Sequence, residues 1–170
     1  MICTRVVAQT ETSPEIGTRA ETMAAIDEIE LHRLEPRELS PHVDDRDPFI
    51  RARVARALGR LDSSGSLPPL RMLLTDPSPA VRSEAALAIG LIGDGHRSLM
   101  QRLREEEDPT VRMRIIEAIG RTCQTRACVE VVVWALSEEP NRLTPSPIRD
   151  AASIAIGQMA LRNVESARSP

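Results

Sequence analysis

The chain has 170 residues, with 22 basic against 25 acidic side chains, a formal net charge of −3, 41% hydrophobic residues and 1% aromatic ones. That balance leaves no bulk basic field to draw the protein to nucleic acid or to an anionic membrane. All 22 basic residues are arginine, and a chain without lysine excludes phosphate-loop, Schiff-base and other lysine-dependent chemistry.

Residues 1–14 are polar and threonine-rich and predict a flexible N-terminal tail. The N-terminus lacks an apolar run of signal-peptide length, and no stretch approaches the ~18 apolar residues of a membrane span. An inner helix is predicted near 15–29. Residues 31–46 carry Pro36 and Pro41 and predict a short or bent outer helix. An inner helix follows near 48–61, then a turn at 62–66, DSSGS. The next outer helix, Leu67 to Thr75, takes Pro68 and Pro69 in its first turn and points Leu70, Leu73 and Leu74 inward. The inner helix near 79–92 is broken by Gly93-Asp94-Gly95. Arg97 to Glu107 is outer, with Leu99, Met100 and Leu103 buried, and 110–122 is inner. Cys128 to Ser137 is the most apolar helix, predicted to hold Trp134 in the core and Glu130 in water. Residues 138–147 form an inserted loop, 148–161 the last inner helix, and 162–170 a flexible tail.

The inner helices are copies of one unit. Val81, Ala85, Ala86, Ala88, Ile89 and Ile92 recur at helical spacing and make one apolar face. The pairs Ile50-Arg51, Val81-Arg82, Val111-Arg112 and Ile148-Arg149 are 31, 30 and 37 residues apart, and each Arg is followed eight residues later by glycine: Gly59, Gly90, Gly120 and Gly157. Asp47-Pro48, Asp76-Pro77 and Asp108-Pro109 read as one recurring turn, replaced by Thr144-Pro145 in the last copy. A worn copy at Arg19 to Ile29 has Asp27 where the glycine belongs. Glycine inside a helix costs about 1 kcal/mol relative to alanine, so four at one register predict a close helix crossing repeated along a stack. Alternating outer and inner helices predict an all-α superhelix, a short right-handed α-solenoid of about four to five hairpins spanning 15–161.

The Asp-Pro, Val-Arg, Ala-Ala, Ala-Ile-Gly and Ile-Gly-Asp elements, best preserved from Asp76 to Asp94, resemble the HEAT-like repeats of the phycobilisome-lyase type. The resemblance implies the fold over residues 15–161 and, as one activity, a bilin lyase acting on a chromophore and a phycobiliprotein. HEAT-like di-iron hydroxylases carry a His-Glu pair, whereas His32, His42 and His96 are followed by Arg33, Val43 and Arg97. HEAT-like alkylpurine glycosylases would need aromatic platforms for bases, and Phe49 and Trp134 are the only aromatics, so a nucleic-acid role is disfavoured.

The repeat residues Arg51, Arg82, Arg112 and Arg149 read as structural, bonded to Asp47, Asp76, Asp108 and nearby backbone. Three variable registers hold Arg53, Glu84 and Arg114, then Arg56, Leu87 and Glu117, then Arg60, Leu91 and Arg121. If inner helices line the concave face, these predict a mildly basic groove for an acidic segment of a partner protein. Glu105 to Asp108 reads as a solvated acidic turn. Cys3, Cys123 and Cys128 read as ordinary thiols of a reduced, cytoplasmic compartment, and the lysine-free composition as that of a GC-rich bacterial genome. No catalytic residue, metal site or cofactor is expected. The function predicted is a non-enzymatic protein-interaction module, a scaffold or regulatory subunit, with a bilin-lyase-like or enzyme-assisting subunit as the alternative.

Overall fold

The computed structural model describes residues 18–123, 125–137 and 146–168, with side chains as far as Arg162. Among these residues the chain forms α1 (Arg19–Leu31), α2 (Pro48–Arg60), α3 (Leu67–Leu73), α4 (Pro79–Ile92), α5 (His96–Glu105), α6 (Pro109–Thr122), α7 (Arg126–Ser137) and α8 (Pro147–Arg168), and no strand. The predicted N-terminal tail, the start of the first helix and most of the 138–147 insertion lie outside the described residues.

Helix starts are written into the sequence. Thr18 and Glu21 form a reciprocal capping box at α1. Asp47 accepts from the Phe49 amide at α2, and Asp108 accepts from the Thr110 and Val111 amides at α6, each followed by proline at the first helical position. At α4 that position belongs to Ser78-Pro79. This corrects the alignment of the Asp-Pro dipeptides, because Asp76-Pro77 lies two residues too early to be their equivalent. Gly93 ends α4 in a left-handed conformation, φ 78°.

Helices α2, α4, α6 and α8 pack each on the next as an inner layer, and α3, α5 and α7 cover α4, α6 and α8. The seam of the inner layer is a glycine-on-alanine crossing. A Cβ added to Gly59 would meet Ala88 Cβ at 2.7 Å, one on Gly90 would meet Ala118 Cβ at 2.9 Å, and one on Gly120 would meet Ala155 Cβ at 2.7 Å. Aliphatic side chains fill the space around it, including Leu58, Ile89, Ile115, Ile119 and Met159. At Gly157 the same test meets nothing within 4 Å.

Three further expectations change. Residues 36–42 form a 3-10 helix containing Pro41, which has no amide hydrogen to donate to an α-helical bond. Trp134 is 36% exposed and its neighbour Val133 50%, because α7 buries Cys128, Val131, Val132 and Ala135 on its other face. Helix α8 continues past Leu161 to Arg168, since neither proline nor glycine interrupts that stretch.

Candidate functional site

The repeated arginines form a ladder. Arg51 donates from Nε and Nη2 to the two carboxylate oxygens of Asp76 at 2.6 and 2.9 Å, and from Nη1 to the Asp45 carbonyl at 2.6 Å. Arg82 repeats this with Glu106, at 2.8 Å twice, and with the Asp76 carbonyl at 2.8 Å. Arg112 donates to the Glu106 carbonyl at 3.0 Å, and its guanidinium lies 6.0 Å from the Trp134 ring centroid. Each of these arginines therefore bonds the carbonyl six residues before it, and two also clamp the acid of the next copy. The same acids organise the turns, since Asp45, Asp76 and Glu106 accept from the Asp47, Ser78 and Asp108 amides.

Glu106 is buried, with Arg102 as a further partner at 2.9 Å, so the acidic run is not a simple solvated turn. Burial alone would push its carboxyl up. Hydrogen bonds from Arg82, the Asp108 amide and Arg102 outweigh that and bring it down from 4.5 to about 2. Asp76 is held low in the same way: burial opposes it, and Arg51 and the Ser78 amide prevail.

The predicted groove residues do come from α2, α4 and α6, but they are not a row of free cations. Arg53 pairs with Asp27 at 2.5 Å and Glu30 at 2.6 Å, and Arg60 pairs with Glu30 at 2.6 Å. Arg56 holds Glu84 through two bonds, at 2.7 and 3.3 Å, which raises its own pKa. Arg114 pairs with Glu117 at 3.0 Å. Arg121 is half-buried and its carbonyl accepts from Arg162. Leu87 is half-buried and Leu91 exposed. Four carboxylates, two of them on α1, stand beside the five arginines, so most of the basic charge predicted for the groove is paired.

The cleft that this layer does form has a volume of about 490 Å³. Its lining includes one register of the inner helices α2, α4 and α6, two residues before each ladder arginine: the exposed Phe49, Ala80 and Thr110, together with Arg56, Glu84 and the buried Val111. Phe49 is 52% exposed and carries the Arg19 guanidinium 4.0 Å above its ring. Sequence reasoning missed this register, although the only phenylalanine of the chain stands in it.

Cys123 and Cys128 form a disulfide at the α6–α7 turn. This corrects their reading as ordinary thiols and removes the ground on which a reduced compartment was inferred. Among the described residues, no group of three or more His, Cys, Asp or Glu could hold a metal ion, and no helix is long and apolar enough to cross a membrane.

Residues 36–99 match the family described as HEAT repeats, in keeping with the HEAT-like stack. No curated protein matches. Among solved structures, human deoxyhypusine hydroxylase in complex with glycerol is similar, with a TM-score of 0.61 and 23% identity. The likeness covers 74% of this chain and 43% of that one, so this chain spans less than half of that protein. At this identity the likeness carries the fold. It still overturns the expectation that the chain is not an enzyme, because that expectation ran from repeats to pure binding, and the similar fold in that protein belongs to a hydroxylase.

Proposed function

We propose that the inner layer is a protein-binding surface, and that the cleft over Phe49, Ala80 and Thr110 receives a segment of the partner. A solenoid repeats one register along its length, and that repetition suits an extended chain. The observation that carries this reading is the half-exposed Phe49 ring beside the Arg56–Glu84 pair, an apolar anchor next to a charge pair. The segment it fits is an apolar side chain with polar neighbours. A purely acidic segment would have to displace Glu84 from Arg56. A scaffold or regulatory role follows if the partner is itself the active component.

The test is capture of partners from the source organism by the wild-type chain and by Phe49→Asp and Arg56→Glu. Loss of the same captured protein from both variants supports the reading, and identical capture by all three overturns it.

A second reading follows from the hydroxylase likeness: the chain takes part in catalysis, by itself or as one part of an assembly. Its test is turnover of a deoxyhypusine-containing protein by the purified chain, alone and with the proteins it captures. The phycobilisome-lyase subtype rests on the motif from Asp76 to Asp94, and a change in the visible spectrum of added bilin would support it.

A further inference from the structure

The ladder arginines divide their guanidinium edges in one way. In Arg51 and Arg82, Nη1 bonds the carbonyl six residues back, while Nε and Nη2 together clamp a carboxylate, Asp76 or Glu106. Arg112 keeps the first half of this arrangement, its Nη1 donating to the Glu106 carbonyl at 3.0 Å. Its Nε and Nη2 have no hydrogen-bond partner among the described residues. The clamped acids stand six residues before the next arginine, and six residues before Arg149 the chain has Leu143, which offers no carboxylate. Arg112 is half-buried and lines a cleft of about 650 Å³ with Arg104, Ile148 and the exposed Trp134. Glu105 and Glu107 line it too, so two acids face two arginines there once Glu106, held by Arg82 and Arg102, is set aside.

We propose that this cleft is a second recognition site, in which Arg112 clamps an acidic side chain of a partner peptide and Trp134 takes an apolar neighbour of that acid. The two preceding rungs show which ligand this edge of the arginine takes. Both hold a carboxylate through Nε and Nη2, the paired geometry that a guanidinium fork fits best. An exposed tryptophan beside that fork has the make-up of an interface anchor. Glu105 and Glu107 set the charge pattern of the partner. A run of acids would bring its remaining charges against them, so the segment that fits carries one acid between apolar residues. This cleft shares no lining residue with the one at Phe49, and the two sites stand or fall separately.

Trp134 is the only tryptophan of the chain, so its fluorescence reads this cleft directly. The probe is a Leu-Glu-Leu tripeptide, acetylated and amidated, titrated into the full chain up to about 10 mM, which covers a millimolar Kd. The wild type is expected to give a saturable change. Leu-Gln-Leu and acetate are each expected to bind at least about tenfold more weakly, the effect of losing one charge-assisted hydrogen bond or the apolar contact. Arg112→Gln is expected to abolish the change, and Arg112→Lys, which keeps the charge without the fork, to weaken it about tenfold, both with unchanged circular dichroism. Phe49→Asp is expected to respond as the wild type does. A silent wild type overturns the proposal, as does a response that acetate or Leu-Gln-Leu reproduces, or one that survives Arg112→Gln. A response gained only when Glu138→Gln and Glu139→Gln are made together overturns it as well, by giving the site to the chain's own acids instead of a partner's.

Discussion

Gly120 lies so close to Ala155 that a Cβ on the glycine would stand 2.7 Å from both Cα and Cβ of the alanine. Backbone, not a flexible side-chain end, blocks the space, so α6 and α8 must separate to admit a methyl group. We expect Gly120→Ala to destabilise the chain by about 1–3 kcal/mol in urea denaturation. Gly157→Ala, free of any neighbour within 4 Å, should instead gain about 0.5–1 kcal/mol from helix propensity. Equal effects at the two positions would remove the crossing as the reason for glycine.

The contrast shows what was legible in the sequence. The eight-residue step from arginine to glycine fixes both on one helix with a set angle between them, so local periodicity alone placed the inner seam. Alignment by dipeptide misled, because Asp76-Pro77 looks like Asp47-Pro48 but sits two residues earlier against the arginine. Measured from the arginine, Asp45, Asp76 and Glu106 share one register, and they are the acids that serve the turns. The partners of Arg53 and Arg60 were not legible, because Asp27 and Glu30 reach them only through the packing of α1 on α2. Asp27 also explains the worn copy: a carboxylate in the glycine register joins α1 to α2 by ion pairs where the other copies use a close crossing.

The Arg82–Glu106 pair should make stability depend on acid. Glu106 is held at about 2 in the folded chain against 4.5 ordinarily, so its contribution is complete above about pH 4.5 and is lost as the pH falls through 2. The full effect amounts to about 3 kcal/mol. Glu106→Gln should be less stable than the wild type at pH 7, and its stability should fall less steeply between pH 4.5 and 2. Denaturation midpoints across that range decide it, and parallel curves for the two proteins would show that Glu106 is not the titrating group.

The Cys123–Cys128 bridge leaves Cys3 as the remaining cysteine of the three. Alkylation of the unfolded, unreduced chain should add one label, and alkylation after reduction three, as read by intact mass. Because the bridge closes a short loop, reduction should cost about 2 kcal/mol of stability. Three labels before reduction, in protein purified without reductant, would mean that the bridge does not form.

Helix α1 should be the part of the stack most sensitive to salt. It buries only Ile26 completely, and it is tied on by Arg53 with Asp27 and Glu30, by Arg60 with Glu30, and by Arg19 with Asp47. Several of these side chains are more than half exposed, including Asp27 at 60% and Arg19 at 58%, so mobile ions screen them. Helix α4 is held instead by Val81, Ala85, Ala86, Ala88 and Ile89, each at most 1% exposed, whose burial strengthens rather than weakens in salts excluded from the surface. Amide hydrogen exchange measured at about 0.05 and about 1 M salt should therefore speed up in α1 by about 3- to 10-fold, the effect of losing about 1 kcal/mol, while α4 changes little. Uniform acceleration across both helices would mean that α1 opens only with the whole stack and that the ion pairs are not what sets its stability.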